Sequence, residues 1–285
     1  MKHIQWFPGH MTKAMRMMAE EIDLCDAVLC VLDARCPAAS FNPKLKELFG
    51  GRPVLYLLNK SDLADSARTD AFCRLIERKG NLAAKIVATS SSTKRILNQK
   101  IQTLTEEKRR ANAEKGSIRP VRLMVAGIPN TGKSTVINLL HGQKKAVTGD
   151  KAGVTRGKQW IKCDGFDLMD TPGTMPPAFE NQTLARHLAY IGSINDDILE
   201  MDEIALSFLE ELRKEYPAIV QEKFDTQEEE PLALLDAVCK RRGFLVRGGG
   251  YDYERGEKAL IDDFRKGKLG KITLERAEDY AEVDF

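Results

Sequence analysis

Long apolar runs, paired cysteines and a pronounced charge of either sign are all missing from this sequence, and each absence narrows its class. The strongest apolar runs, 27–32 and 54–58, are far shorter than the roughly 20 residues a membrane-crossing helix needs. No membrane association is expected. The first residues, MKHIQWFPGHM, hold two histidines and a proline and no apolar stretch of signal-peptide length. Six cysteines are present, at 25, 30, 36, 73, 163 and 239, with no CxxC pair and no histidine cluster at zinc spacing. They read as reduced thiols of a cytoplasmic protein. The 44 Lys and Arg nearly cancel the 42 Asp and Glu, so a net charge of +2 neither favours nor excludes nucleic acid.

What is present is enough apolar material for two cores: 42% of 285 residues is hydrophobic. Over the first two thirds, short apolar runs alternate with periodic segments. Strands are predicted at 27–33, 53–59, 85–89, 122–127, 159–163 and 166–170, and helices at 12–22, 66–79, 94–113 and 133–141. This alternation predicts an α/β fold with a largely parallel sheet. After Pro176 and Pro177 the strand-like runs stop. Ala205, Phe208, Leu209 and Leu212 mark one helix face, Pro217 ends that helix, and further helices run from Leu232 to Arg242 and through Leu260 and Phe264. The expected division is an α/β domain over 1–177 and a small all-helical domain over 178–285.

Gly127-Ile-Pro-Asn-Thr-Gly-Lys-Ser134 fits GxxxxGK[ST] between a predicted strand and a predicted helix, the context a phosphate loop requires. Its backbone N–H groups would cradle phosphates together with Asn130, Thr131, Gly132 and Thr135; Lys133 would reach the outer phosphates and Ser134 would ligate Mg²⁺. Asp170-Thr-Pro-Gly173 ends another strand, so Asp170 can hold Mg²⁺ through water and Gly173 can offer its N–H to a γ-phosphate. Thr155, in a polar loop between them, can complete the metal shell. Asn59-Lys60-Ser-Asp62 follows a third strand. A carboxylate such as Asp62 matches the N1–H and N2–H donors of guanine, Asn59 would brace the loop, and the Lys60 stem would cover the ring. The bland alternative is that Ser61 and Asp62 cap a helix. Thr89 and Ser90, after the next strand, can present N–H groups to the guanine oxygen. These motifs imply GTP and GDP as ligands, in an order reversed from the usual one, since the base-reading loops precede the phosphate loop. The chain is therefore expected to be a P-loop GTPase sheet with circularly permuted motif order.

Taken with Trp6-Phe-Pro-Gly-His10-Met11, Asp33-Ala-Arg35 and Gly153-Val-Thr155, this ordered set resembles the YlqF/RbgA family, the bacterial ribosome biogenesis GTPase A proteins, over nearly the whole chain. The resemblance implies a GTP hydrolase, slow alone and stimulated by its particle, that binds a late precursor of the large ribosomal subunit and its rRNA and leaves after hydrolysis. It implies that His10 promotes hydrolysis in place of the glutamine other GTPases carry after DxxG, where this sequence has Thr174. From the residues alone, His10 could equally begin a surface helix. Asn130 resembles the asparagine that holds K⁺ in potassium-stimulated GTPases, or is a turn former. Catalytic roles thus fall to His10, Lys133 and Thr155. Basic residues at 108–119 and at Lys258, Arg265, Lys266, Lys268 and Lys271 are candidate RNA contacts, with a solvated helix face as the alternative. A monomer is expected. The rival functions are an RNA-binding scaffold in which nucleotide is structural and a small-molecule kinase, against which Asn59 to Asp62 argue.

Overall fold

The computed structural model describes residues 3–5, 9–142, 159–176 and 179–285. Its α/β part contains α1 (Gly9–Glu21), β1 (Ala27–Asp33), α2 (Pro43–Phe49), β2 (Val54–Asn59), α3 (Ser66–Arg78), β3 (Leu82–Lys85), α4 (Thr93–Leu104), α5 (Glu106–Glu114), β4 (Val121–Ala126), α6 (Lys133–His141), β5 (Gln159–Cys163) and β6 (Phe166–Asp170). The strands form one sheet in the order β3-β2-β1-β4-β6-β5, parallel except for β5, which runs antiparallel to β6. β1 and β2 are buried along their whole length, as strands covered on both faces must be. Apolar clusters lie on both faces: one gathers Leu32, Tyr56 and Phe72, the other Leu29, Leu57 and Val136. Asp33 pairs with Asn59, and Val125 with Asp170, so the strand ends that carry the motifs share one edge. Ligands of open α/β sheets bind outside that edge.

Three local departures from the expected elements have physical causes. β3 ends at Lys85 because the chain then leaves the ladder: the Ala88 N–H donates to the Asn59 side chain, 3.0 Å away, instead of to a strand. The predicted long helix over 94–113 breaks at Thr105, whose hydroxyl bonds back to the Ile101 carbonyl at 2.8 Å and competes with the helical pattern. α2 was not anticipated, although Asn42 caps it, Pro43 opens it and Gly50 closes it at φ 60°.

The helical part comprises α7 (Gln182–Tyr190), α8 (Met201–Glu215), α9 (Pro217–Phe224), α10 (Pro231–Arg242) and α11 (Tyr253–Arg265). Pro217 both stops α8 and opens α9, where its missing N–H costs nothing. Phe208 of α8 stacks against Tyr190 and Phe264, with ring centroids 5.2 and 4.8 Å away. Beyond α11 the chain returns to the sheet. Ile272 donates to the Leu63 carbonyl, Leu274 to that of Arg35, and Phe285 lies 5.0 Å from the Phe41 ring in the core beneath β2. Glu275 accepts from the Ala38 and Ala39 N–H groups and from His187 Nδ1, while His187 Nε2 meets Glu211 at 2.7 Å. Burial alone would lower the His187 pKa; bonds to the two carboxylates outweigh it and push the ring up to about 9. A protonated His187 therefore joins α7, α8 and the returning chain.

Candidate functional site

The turn after β4 can only be built from glycine at two points. A Cβ on Gly127, at φ 147°, would lie 2.5 Å from the Val31 carbonyl, and one on Gly132, at φ 94°, would lie 2.3 Å from the Asn59 amide nitrogen. Between them Asn130 also takes the left-handed conformation, at φ 63°. The result is a tight loop running into the first turn of α6, whose leading N–H groups lack helical partners and suit an anion. Ser134 and Thr135 stand half-buried in that turn, and Thr131 is buried with its hydroxyl on the Ile128 carbonyl. Lys133 is buried and donates from Nζ to the same carbonyl at 2.7 Å.

Two further loops close on this one. Gly173 is packed so tightly that a Cβ there would sit 2.6 Å from the Pro129 nitrogen and 2.9 Å from Lys133 Nζ. Asp170, at the tip of β6, is buried, and its Oδ1 has no partner among the described residues. Burial pushes the Asp170 carboxyl up to about 6 against the opposing pull of Lys133, while burial pulls Lys133 down to about 8. From the other side Asn59 donates to the Thr131 carbonyl at 2.8 Å and accepts from Ala88, so a single amide fastens the loop after β2 to both the phosphate loop and the loop after β3. Lys60, at φ 60°, places Nζ 2.7 Å from the Asn130 carbonyl and 2.9 Å from Asp33 Oδ2. Ser61 bonds through its N–H and hydroxyl to Ile86. Asp62 is exposed at the open side of this loop. α3 is capped by Asp65, which accepts from Arg68, so neither Ser61 nor Asp62 is spent as its cap. Thr89 is exposed, and Ser90 donates its N–H to Val87. Asn59, Lys60, Asn130, Thr131, Gly132, Lys133, Asp170 and Gly173 are thus one cluster, with Asp62 and Ser90 on loops joined to it.

Thr155, with Gly153 and Val154, lies outside the described residues, as do Trp6 to Pro8. His10 is exposed in the first turn of α1; its neighbour Met11 is buried in a cluster with Ile128 of the phosphate loop and Met175 beyond Gly173. Thr174 is buried, its N–H on the Gly127 carbonyl and its own carbonyl accepting from Asn42. The expected basic contacts are largely paired. Lys258 meets Glu254, Arg265 meets Asp196, Lys266 meets Asp262, Lys268 meets Asp263 and Lys108 meets Asp26.

Local sequence patterns missed the partners supplied by the helical part. The Ser193 hydroxyl donates to the Pro129 carbonyl at 2.8 Å, and the Asn130 amide to the Gly192 carbonyl. These contacts span more than 60 positions, with no motif around Gly192 to announce them.

Comparisons with known proteins agree with this arrangement. Residues 122–237 match the family model described as 50S ribosome-binding GTPase. The chain is 40% identical to ribosome biogenesis GTPase A of Bacillus cereus over 98% of its own length and 96% of the relative's. It is 30% identical to ribosome biogenesis GTPase A of Thermotoga maritima, covering 98% of this chain and 97% of that one. The GNP-bound crystal structure of YlqF from T. maritima superposes with a TM-score of 0.66 at 25% identity, covering 93% of this chain and 99% of that one.

Proposed function

Because this chain belongs to the ribosome biogenesis GTPase A family, with its circularly permuted GTPase fold and its GTPase activity, we propose that it is an assembly factor of the large ribosomal subunit that grips rRNA in the GTP state and leaves after hydrolysis. The helical residues 178–285 would supply the ribosome contact, in the cytoplasm and as a monomer. The observation that carries the proposal is the convergence of three loops: Asn59 holds the Thr131 carbonyl, while Gly173 lies against Pro129 and Lys133.

Guanine lies against Asp62, with the Lys60 stem over its ring and the Thr89 and Ser90 loop at its oxygen. Phosphates take the place beside Lys133 where the ammonium now rests on the Ile128 carbonyl, and the N–H groups of 130–135 surround them. The unpartnered Asp170 Oδ1 and the Ser134 hydroxyl are hard oxygen donors that fit Mg²⁺, with Thr155 as a further donor. Bound there, Mg²⁺ neutralises charge on the outer phosphates. K⁺ would take the Asn130 amide oxygen. Thr174 is turned inward against Gly127 and Asn42, so the water falls to the exposed imidazole of His10, the neighbour in sequence of Met11 in the buried cluster that also holds Ile128.

The test is specificity and partner dependence together. Asp62→Asn should exchange preference from GTP to xanthosine triphosphate, and large ribosomal subunits should raise the GTPase rate, more so in K⁺ than in Na⁺. Retained GTP preference in the variant removes Asp62 from the base site. Equal affinity for the subunit with GDP and with a non-hydrolysable GTP analogue would favour the scaffold instead.

A further inference from the structure

We infer that Arg35 is a positioning residue for the guanine-reading loop, tying it to the carboxyl end of α11 so that guanine affinity depends on how the helical part is docked. The inference rests on the nucleotide reading of residues 59–62. Arg35 is buried at the tip of β1 and forks onto Asp33, with Nε 2.9 Å from Oδ1 and one terminal nitrogen 2.8 Å from Oδ2. The same Asp33 Oδ2 receives Lys60 Nζ at 2.9 Å. Burial would raise the Asp33 pKa, but Arg35 and Lys60 outweigh it and hold the carboxyl well below its usual range, so this bridge is charged throughout the neutral pH range.

The other terminal nitrogen of Arg35 reaches α11. It donates to the Arg265 and Phe264 carbonyls, at 3.1 and 3.4 Å, and the guanidinium lies 5.1 Å from the Phe264 ring centre. These are last-turn carbonyls of α11, at the end of the helix that attracts a cation; that of Phe264 also accepts from the Gly267 N–H at 3.0 Å. One planar fork thus joins the base loop to a helix more than 200 residues away, a geometry a lysine point charge could not match.

The loop is held from its far side as well. The Thr273 hydroxyl donates to the Ala34 carbonyl and accepts from the Asp65 N–H, and the Leu63 carbonyl accepts from Ile272. Leu63 packs on Gly267 so closely that a Cβ there would lie 2.6 Å away. Residues 60–65 therefore sit between Arg35 and Asp33 on one side and the chain leaving α11 on the other. Movement of α11 would therefore be felt at Lys60 through Arg35 and Asp33.

Titration calorimetry with GDP and, separately, with inorganic pyrophosphate separates base from phosphate binding in the full chain. Arg35→Met should weaken GDP by about tenfold, the effect of leaving one buried polar partner unmet, and change pyrophosphate by less than about twofold. Arg35→Lys should fall between. If Arg35→Met does not fold, the near-isosteric Thr273→Val decides: it should weaken GDP by about threefold, again without moving pyrophosphate. Equal loss of both ligands, or no change in GDP for folded variants, overturns the inference. A wild-type chain that binds pyrophosphate but not GDP overturns the guanine reading beneath it.

Discussion

At the guanine end of the crevice Asn59, Lys60 and Asp33 are bonded to one another's loops, whereas at the phosphate end, among the described residues, Lys133 donates to a single carbonyl and Asp170 keeps a carboxylate oxygen with no protein partner. The difference follows from what each end must hold. A neutral base needs fixed donors and acceptors, so its frame is assembled in advance. A triphosphate with its metal brings its own large charges, and the protein leaves opposite charges buried and incompletely compensated until they arrive. Substitutions at the two ends should therefore fail in different ways.

The largest expected effect is Lys133→Met. Hydrolysis should fall by about 10²–10³-fold, the usual cost of removing a donor aimed at transition-state charge. Chemical denaturation of the ligand-free chain should show no matching loss of stability, since the cation removed is one that burial penalises. Next comes pH. The Asp170 pKa is raised from 3.8 to about 6, so its contribution to stability is complete in acid and is lost as pH rises through 6. Asp170→Asn should remove that slope and be more stable than wild type at pH 7 by about 3 kcal/mol. For Lys133, lowered from 10.5 to about 8, the sign reverses: the penalty on its charge is relieved as pH rises from 8 towards 10.5. Denaturation midpoints at pH 5, 7 and 9.5 with both variants resolve the two slopes.

The same asymmetry governs how much was legible in the sequence. The strands at 27–33 and 166–170 are read with their observed limits because apolar runs report burial, and the phosphate loop because its glycines have no substitutes at φ 147° and 94°. The loop after β2 was legible as a motif, but its anchoring was not. Asp33 reaches Lys60 across the sheet edge, Asn130 and Pro129 meet Gly192 and Ser193, and Glu275 meets His187, each pairing set by topology with no local periodicity. The basic tail was legible as a run of cations, but not the partners that each of them meets. Lys258 and Lys266 stand one helical turn from Glu254 and Asp262, and Arg265 lies against Asp196, so a cluster of cations in the sequence is a set of ion pairs on the surface.

At the guanine end stability should carry the signal. Asn59→Ala leaves the Thr131 carbonyl and the Ala88 N–H without their amide, and should cost about 2 kcal/mol in the ligand-free chain, the usual penalty for buried groups left unpaired. Asp62→Asn, at an exposed position, should leave the denaturation midpoint unmoved. If Asn59→Ala loses nucleotide affinity but no stability, the frame is assembled by the ligand, and the contrast between the two ends disappears.

The smallest effect tests whether the phosphate end borrows rigidity from outside the sheet. Ser193 is buried, and its hydroxyl meets the Pro129 carbonyl, the residue whose nitrogen Gly173 also crowds. Ser193→Ala removes one neutral hydrogen bond and should cost about 1 kcal/mol. Because Pro129 is the phosphate-loop residue against which Gly173 packs, the same change should loosen phosphate and leave base recognition alone. Pyrophosphate binding should weaken in proportion to GDP binding, the reverse of the pattern expected for Arg35→Met. A Ser193→Ala chain that loses GDP affinity while holding pyrophosphate would show that the helical part reaches the nucleotide only through its base.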